Sequence, residues 1–290
     1  MNAWAIAAGS GVVLVDTGIG GPGSLGHLEL ALREAGLRLE LVRLLVCTHA
    51  HSDHYGLAGP IVDAAGCELW MHPNHAHVHS NLDRRIEIAR QSGVPDSVIA
   101  SAYEPRRGQP PGIERFVEPD RRLLPGVEVE TDLGRWQVYE TPGHAPSHVC
   151  LHQPDRGLLL SGDHLLGRIS LFYDYGYSPD PAGEFLESLD IVDRLGSQLC
   201  LAGHARPFRE VDLKIAATRG TVLERIERVR ACLDGVPKTP FEIVPQFLDE
   251  PDPSPMMLNW GLNEVLVYLD HLRLRDHAHA HEGEVATWTR

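Results

Sequence analysis

Cys47-Thr48-His49-Ala50-His51-Ser52-Asp53-His54 packs metal-binding side chains into one short turn of the chain. Four of the six residues from His49 to His54 offer an imidazole nitrogen or a carboxylate oxygen, donors that suit zinc, iron or manganese. The stretch lies directly behind Leu41-Val42-Arg43-Leu44-Leu45-Val46, an apolar run that reads as a buried strand. A strand ending in His-x-His-x-Asp-His holds its ligands on one rigid turn. The plainer alternative is a solvated loop rich in histidine by chance, but a ligand-dense turn straight behind a core strand is rare by composition.

Upstream, residues 4–8 and 11–15 read as a hairpin that ends in Asp16-Thr17-Gly18, followed by glycines at 18, 20, 21 and 23. No G-x-G-x-x-G leads into a helix and no Walker lysine follows, which disfavours a phosphate cradle. Asp16 reads instead as a strand-end carboxylate that orients a neighbouring ligand or loop. Residues 25–36 have helical spacing, with Gly36 as the stop. Downstream, a helix is expected over 57–65, its positive end toward Asp53, then a strand over 67–71. Residues 74–103 are mostly helical in pattern and rich in His and Arg. His75 and His79 would share a face there, but no carboxylate completes a metal set with His72, His75, His77 or His79, so the segment reads as surface or lid. Residues 104–120, rich in Pro, Arg and Gly, read as a loop crossing the body of the fold.

Strands return over 127–130, 135–140, 148–152 and 157–160. One ends in Thr141-Pro142-Gly143-His144, another in Ser161-Gly162-Asp163-His164. After a tyrosine-rich loop at 171–177 and a helix over 183–195, a strand at 198–202 ends in Gly203-His204. The carboxyl ends of strands in a layered α/β fold converge on one edge, where ligands bind. That edge would gather His49, His51, Asp53, His54, His144, Asp163 and His204. A catalytic zinc takes three protein ligands plus water, so seven ligands suit two metals that share a carboxylate. Beyond Pro207 the composition shifts to an amphipathic helix over 212–233, a proline-rich stretch over 237–255 and a final helix over 257–274. This reads as a small helical appendage with a winged-helix-like hairpin at its end, where His277, His279 and His281 fall on a solvated tail or wing strand.

The bulk numbers bound the function classes. The chain has 290 residues, 43% hydrophobic and 23% charged, ordinary for a globular protein with a sizeable core. A net charge of −14 repels nucleic acid and anionic membranes, so neither is expected as a partner. A small-molecule substrate is expected, and a homodimer is left open. The five cysteines, odd in number and without C-x-x-C spacing, point to a reduced, cytoplasmic compartment. The start carries no basic n-region of a signal peptide, and no apolar stretch reaches membrane-spanning length.

The ordered set of Asp16 turn, His-x-His-x-Asp-His turn, His144, Asp163 and His204 resembles the metallo-β-lactamase superfamily of hydrolases, over roughly residues 4–208. Gly162-Asp163-His164-Leu165-Leu166 and the helical C-terminal piece look most like its glyoxalase-II-like and lactamase-B2-like branch. The resemblance implies an α/β fold, a four-layer αββα sandwich, with a catalytic domain at 1–208, a lid insertion at 72–115 and a C-terminal extension at 209–290. It implies that His49, His51 and His144 hold metal one, that Asp53, His54 and His204 hold metal two, and that Asp163 bridges two divalent ions, zinc foremost, with iron or manganese as alternatives. Many relatives read Gly-His-Gly at the last motif; here Ala205 follows His204, which bears on the loop beside metal two.

The activity implied is hydrolysis of a thioester or activated ester, such as an acyl-coenzyme A, by a metal-bridging hydroxide, with Asp53 accepting a hydrogen bond or carrying a proton. A thiolate leaves with little protonation, which favours thioesters and lactones over amides. Lacking a basic glutathione cluster, the chain is a poor match for glutathione thioesters. Tyr173, Tyr175 and Tyr177 would line the pocket or else pack within their own loop, His148 and His164 would support the ligands, and Arg168 would meet a substrate carboxylate or phosphate or else a surface ion pair. The alternatives on the same site are a lactonase, a phosphodiesterase or ribonuclease, and a mononuclear iron persulfide dioxygenase. The net charge weighs against the nuclease and the full second ligand set against the dioxygenase.

Overall fold

Two five-stranded sheets account for the apolar runs in the computed structural model, which describes residues 1–79, 82–104, 107–108 and 111–290, with the side chain of His79 also left out. The first sheet runs in the order β1 (Trp4–Ala8), β2 (Gly11–Val15), β3 (Val42–Cys47), β4 (Glu68–Met71) and β5 (Arg121–Arg122). The second comprises β6 (Glu128–Thr131), β7 (Gly134–Glu140), β8 (Val149–Gln153), β9 (Leu158–Gly162) and β10 (Leu199–Ala202), in the spatial order β10-β9-β8-β7-β6. Every residue of β2 is buried, as a strand covered on both faces must be. The sheets face each other across a core that includes Val13, Val15, Val46, Trp136, Leu151 and Leu160.

Helices cover both outer faces. On the first sheet, α1 (Ser24–Glu34), the one-turn α2 (Ser52–Tyr55) and α3 (Ala58–Ala65) pack against Leu14, Leu45 and Leu69. Against the second lie α4 (Leu82–Gln91), α5 (Asp96–Ala102), α6 (Pro181–Asp193), α7 (Val211–Cys232), α8 (Pro240–Leu248) and α9 (Pro255–Arg273), which share one core with β9 and β10. The layering is the αββα sandwich expected. The hairpin β11 (His279–His281) and β12 (Thr287–Thr289) closes the chain, with His279 and His281 exposed. No described helix is long and apolar enough to cross a membrane.

Local chemistry explains where the elements depart from their sequence pattern. The helix expected at 57–65 is preceded by α2, so the histidine motif itself contains a helical turn. The 74–103 stretch divides into a 3-10 turn at Ala76–His79, α4 and α5, because Gly93 takes φ +83 and Pro95 restarts the chain. The expected facing of His75 and His79 and parts of the 74–103 and 104–120 expectations fall outside the described residues. The proline-rich 237–255 stretch holds α8: Pro240 occupies the first turn, where a missing N–H costs nothing, and Thr239 with Glu242 forms a capping box.

A buried ion pair joins α7 to α9. Arg225 Nη1 donates to Glu264 Oε1 at 2.6 Å, and the Tyr268 hydroxyl donates to Oε2 at 3.0 Å, with Glu264 only 3% exposed. Glu264→Ala leaves the Arg225 guanidinium, itself about a third exposed, and the buried Tyr268 hydroxyl without their acceptor; with hydrogen bonds to charged groups worth about 1.5–3 kcal/mol, a fall of that order in chemical-denaturation stability is the expected result.

The sheets also fix where the loops gather. β2 and β3 run parallel, as do β9 and β10, and β7 and β9 both run antiparallel to β8. The carboxyl ends of β2, β3, β7, β9 and β10 therefore open at one edge. There the Val149 N–H donates to the Thr48 carbonyl at 2.9 Å, stitching the two sheets together.

Candidate metal centre

Asp16, at the end of β2, anchors the site from below. It is 1% exposed and takes φ 63, a left-handed geometry that Asp tolerates better than most residues. Its carboxylate accepts from the Thr48 N–H at 2.8 Å, from the Thr48 hydroxyl at 2.9 Å and from His54 Nδ1 at 2.8 Å. Because Thr48 Oγ1 donates to Asp16, it is an acceptor toward His49 Nδ1 at 3.0 Å.

Partners of this kind set the tautomer of each neighbouring imidazole. His49 donates from Nδ1 to Thr48, His51 from Nε2 to Asp174 Oδ2 at 2.8 Å, and His144 from Nδ1 to the Phe172 carbonyl at 3.1 Å. In the neutral rings the remaining nitrogens, His49 Nε2, His51 Nδ1 and His144 Nε2, then face one another without a proton: His51 Nδ1 lies 3.0 Å from each of the other two. Burial and neighbouring imidazoles hold His49 well below the usual histidine range, and the same causes bring His144 to about 4. Three converging lone pairs with no donor among them repel unless a cation lies between them, and three imidazoles are a fitting donor set for a divalent ion.

A second group adjoins the first. Asp53, His54 and His204 bring ligand atoms within 4.8 Å of one another, and so do His49, His54 and Asp163. Asp163 reaches both groups: Oδ1 is 3.3 Å from His54 Nε2, and Oδ2 is 3.3 Å from His204 Nε2 and 3.8 Å from His144 Nε2. His54 Nε2 and Asp163 Oδ1 are buried without a hydrogen-bond partner, the mark of atoms that serve a ligand. Electrostatics here is opposite in sign to the first group. Burial opposes charge on His54, yet the Asp16 and Asp163 carboxylates raise it to about 10. Hydrogen bonds to Asp163 and Asp53 raise His204 to about 9. Burial works against ionised Asp163 and Asp53, but His204 and His54 hold Asp163 far below the carboxylate range and Asp53 at about 2.

Glycines make room for this packing. A Cβ on Gly203 would collide with Asp163 Oδ1 and the His54 ring, and one on Gly162 would come within 2.6 Å of His148 Nε2. His148 accepts the Asp163 N–H at Nε2 (3.1 Å) and pairs with Thr141 through Nδ1 at 2.8 Å, so it props the ligand turn from behind. His164 is buried against Phe185 at 4.6 Å.

The centre opens into a cleft of about 1060 Å³ whose walls include Val78, Ile113, Phe116, Leu166, Phe172 and Trp260, with Arg168 also on its lining. Tyr173 does not line it. Its side chain is fully buried, its hydroxyl 3.3 Å from that of Tyr268, while the flanking Phe172 and Asp174 face the cleft. Tyr175 and Tyr177 border a different, smaller cavity between α4 and α9. The loop alternates in and out because α9 grips it: Trp260 Nε1 donates to the Leu171 carbonyl at 2.7 Å and Asn263 Nδ2 to the Tyr173 carbonyl at 2.6 Å.

Residues 2–204 match the family described as the metallo-beta-lactamase superfamily. The chain belongs to the metallo-beta-lactamase superfamily. Its relatives include a probable metallo-hydrolase, YqjP, of Bacillus subtilis, 25% identical over 83% of this chain and 78% of the relative. An acyl-coenzyme A thioesterase, MBLAC2, of Bos taurus is 26% identical over 71% and 74% respectively. An atrochrysone carboxyl ACP thioesterase of Aspergillus chevalieri is 23% identical over 80% and 60%. Among solved structures, a metallo-beta-lactamase family protein from Thermus thermophilus superposes with TM-score 0.80 at 27% identity, covering 100% of this chain and 93% of that one. A beta-lactamase domain protein from Burkholderia ambifaria gives 0.85 at 25% identity, covering 99% and 87%. This superfamily member is a metal-dependent hydrolase, and the superfamily's fold implies divalent ions at the candidate sites just described.

Two further features border the centre in this superfamily member. Ala205, behind His204, takes φ 63, a conformation that costs a non-glycine residue about 1–2 kcal/mol. Asn2 braces that turn, its Nδ2 donating to the Ala202 and Ala205 carbonyls at 3.0 and 2.6 Å. The second is a set not expected from sequence, His51, His77 and Asp174, which corrects the reading that no carboxylate joins the histidines of the 72–79 stretch. His77 is buried beside His51 and Asp174, its Nε2 3.8 Å from Asp174 Oδ2 and 3.3 Å from Ser147 Oγ. An aspartate between aromatic residues in a loop was the available signal for Asp174.

Proposed function

We propose that the chain hydrolyses acyl thioesters at a centre of two divalent metal ions, zinc foremost. His49, His51 and His144 would hold one ion, Asp53, His54 and His204 the other, and Asp163 would join them. The observation that carries this reading is the convergence of three unprotonated imidazole nitrogens beside the orphaned His54 Nε2 and Asp163 Oδ1. Thioesterases among the relatives support the choice of substrate. Bound there, two divalent cations supply Lewis acidity toward a carbonyl and bring the pKa of a held water from 15.7 down to about 7.

The protein's own groups do the rest. Asp174 and Phe172 keep His51 and His144 in the ligating tautomer, as Asp16 does for His54. Apolar side chains of the cleft receive the acyl group and exclude bulk water from it. Asp53, about a third exposed to the cleft, would accept a hydrogen bond from the attacking water at its carboxylate, or take up the proton that this water loses and release it to the departing sulfur or to solvent. A thiol leaving group, with a pKa of about 8.5, departs as thiolate with little help, so Asp53 need not deliver a full proton. The test is a metal-reconstituted panel of acyl thioesters, lactones and phosphodiesters. Turnover of thioesters is the expected result; cleavage of phosphodiesters alone, or one iron per chain with oxygen consumption, overturns the reading.

A pH effect separates the two metal positions. His49 and His144 are neutral at pH 7 in the metal-free chain, so loading there displaces no proton from them. His54 and His204, raised to about 10 and 9, each hold a proton that a metal must displace. Apparent affinity at the second position should therefore rise by about one to two decades per pH unit between pH 6 and 8, more steeply than at the first, where His49 and His144 contribute no displaced proton. Competition with a chelator of known affinity at several pH values measures both.

A further inference from the structure

Two arginines on the lining of the cleft have no protein acceptor among the described residues. The chain has 40 acidic residues against 26 lysines and arginines, and Arg107, Arg115, Arg225 and Arg275 each meet a carboxylate. Arg85, half-buried on α4 where it also borders the smaller cavity, and Arg168, exposed on the loop behind β9, both line the cleft, and neither has a hydrogen bond or ion pair among the described residues. The carboxylates nearest the cleft do not neutralise them: Asp53 and Asp163 are engaged with His204, and Asp174 with His51. A half-buried guanidinium carries five donors in a fixed fork and is costly to leave without an acceptor. In a chain of net charge −14, an anionic substrate also needs a local cation to offset the bulk repulsion.

We infer that Arg85 and Arg168 form a subsite for a phosphate carried on the thiol half of the substrate, a phosphopantetheine-type group. This rests on the thioester reading above and deepens it. The other walls are apolar, Val78, Leu82, Ile113, Phe116 and Trp260 among them, and suit an uncharged acyl chain. The anion that these arginines await therefore belongs to the leaving half, and the guanidinium fork matches phosphate oxygens. Two sources carry this chemistry, free coenzyme A and the phosphopantetheine arm of a carrier protein.

The test uses the full-length, metal-loaded chain and five thioesters. Four carry one acyl group on pantetheine, phosphopantetheine, coenzyme A or a phosphopantetheinylated carrier protein; the fifth is a pantetheine thioester with a carboxylate at the far end of the acyl chain. The expected result is a preference of about a hundredfold in kcat/KM for phosphopantetheine over pantetheine, since one or two charge-assisted hydrogen bonds are worth that much. The preference lies mainly in KM and weakens with salt. In Arg85→Gln/Arg168→Gln the ratio of the two collapses toward one, and Arg→Lys at both positions restores part of it. The coenzyme A and carrier-protein arms tell the two sources apart. A ratio near one in the unaltered chain, a ratio that the double variant leaves unchanged, or a preference for the acyl carboxylate instead overturns the subsite while thioester turnover stands. Turnover of none of the five overturns the thioester reading and the subsite with it.

Discussion

Asp163→Ala leaves the chain folded, yet metal content falls and thioester hydrolysis drops by at least about a hundredfold. Removing a group one step behind a metal ligand already costs about 10–100-fold in affinity or activity, and Asp163 is no such bystander. Its two oxygens lie 3.3 Å from His54 Nε2 and from His204 Nε2, and Oδ2 is 3.8 Å from His144 Nε2. Without it, no carboxylate spans the two groups of imidazoles. The fold should persist because the backbone on either side is held independently: the Asp163 N–H by His148 and the Gly203 N–H by the Gly162 carbonyl at 2.7 Å. Elemental analysis, circular dichroism and turnover on one preparation measure all three effects. Normal turnover in this variant would refute the bridging role.

Asp16→Ala damages stability as well as metal binding. The substitution strips acceptors from the Thr48 N–H, the Thr48 hydroxyl and His54 Nδ1 at once, in a position 1% exposed. Breaking a buried, hydrogen-bonded charge pair costs about 3–5 kcal/mol. Alanine at φ 63 adds about 1–2 kcal/mol of backbone strain. Asp16→Asn keeps the shape and tolerates the left-handed backbone, so it recovers part of the loss. His54, freed from its carboxylate, loses both its fixed tautomer and the charge that holds it near 10. Denaturant titration of the metal-free chain should show Asp16→Ala well below Asp16→Asn, with the unaltered chain above both; equal stability of all three would contradict this role for Asp16.

The fold and the convergence of the candidate ligands were legible for the same reason: strands end in polar turns. β3, β9 and β10 each carry an apolar run, and β7 an alternating one, that hands over within four residues to His49, Asp163, His204 and His144, and strands running the same way present such turns at one edge. Elements without a pattern of their own were not legible. β5 is two exposed arginines whose pairing with Trp70 and Met71 no periodicity announces. The loop at 171–177 is harder still, because its in-and-out alternation is imposed by Trp260 and Asn263, 89 and 90 residues further along. Its tyrosines looked like pocket lining, whereas Tyr173 faces the core and Asp174 reaches His51. The 72–79 histidines were misread in the same way: His77 finds its carboxylate in that distant loop, which spacing within the segment could not reveal.

The central claim is that one edge of this fold holds two divalent ions that act together on a thioester. Zinc titration of the chelator-treated chain at pH 8, with thioester turnover followed at each addition, tests it most directly. Turnover should stay low through the first equivalent and plateau at two per chain. A plateau at one equivalent, with no further binding, would contradict it.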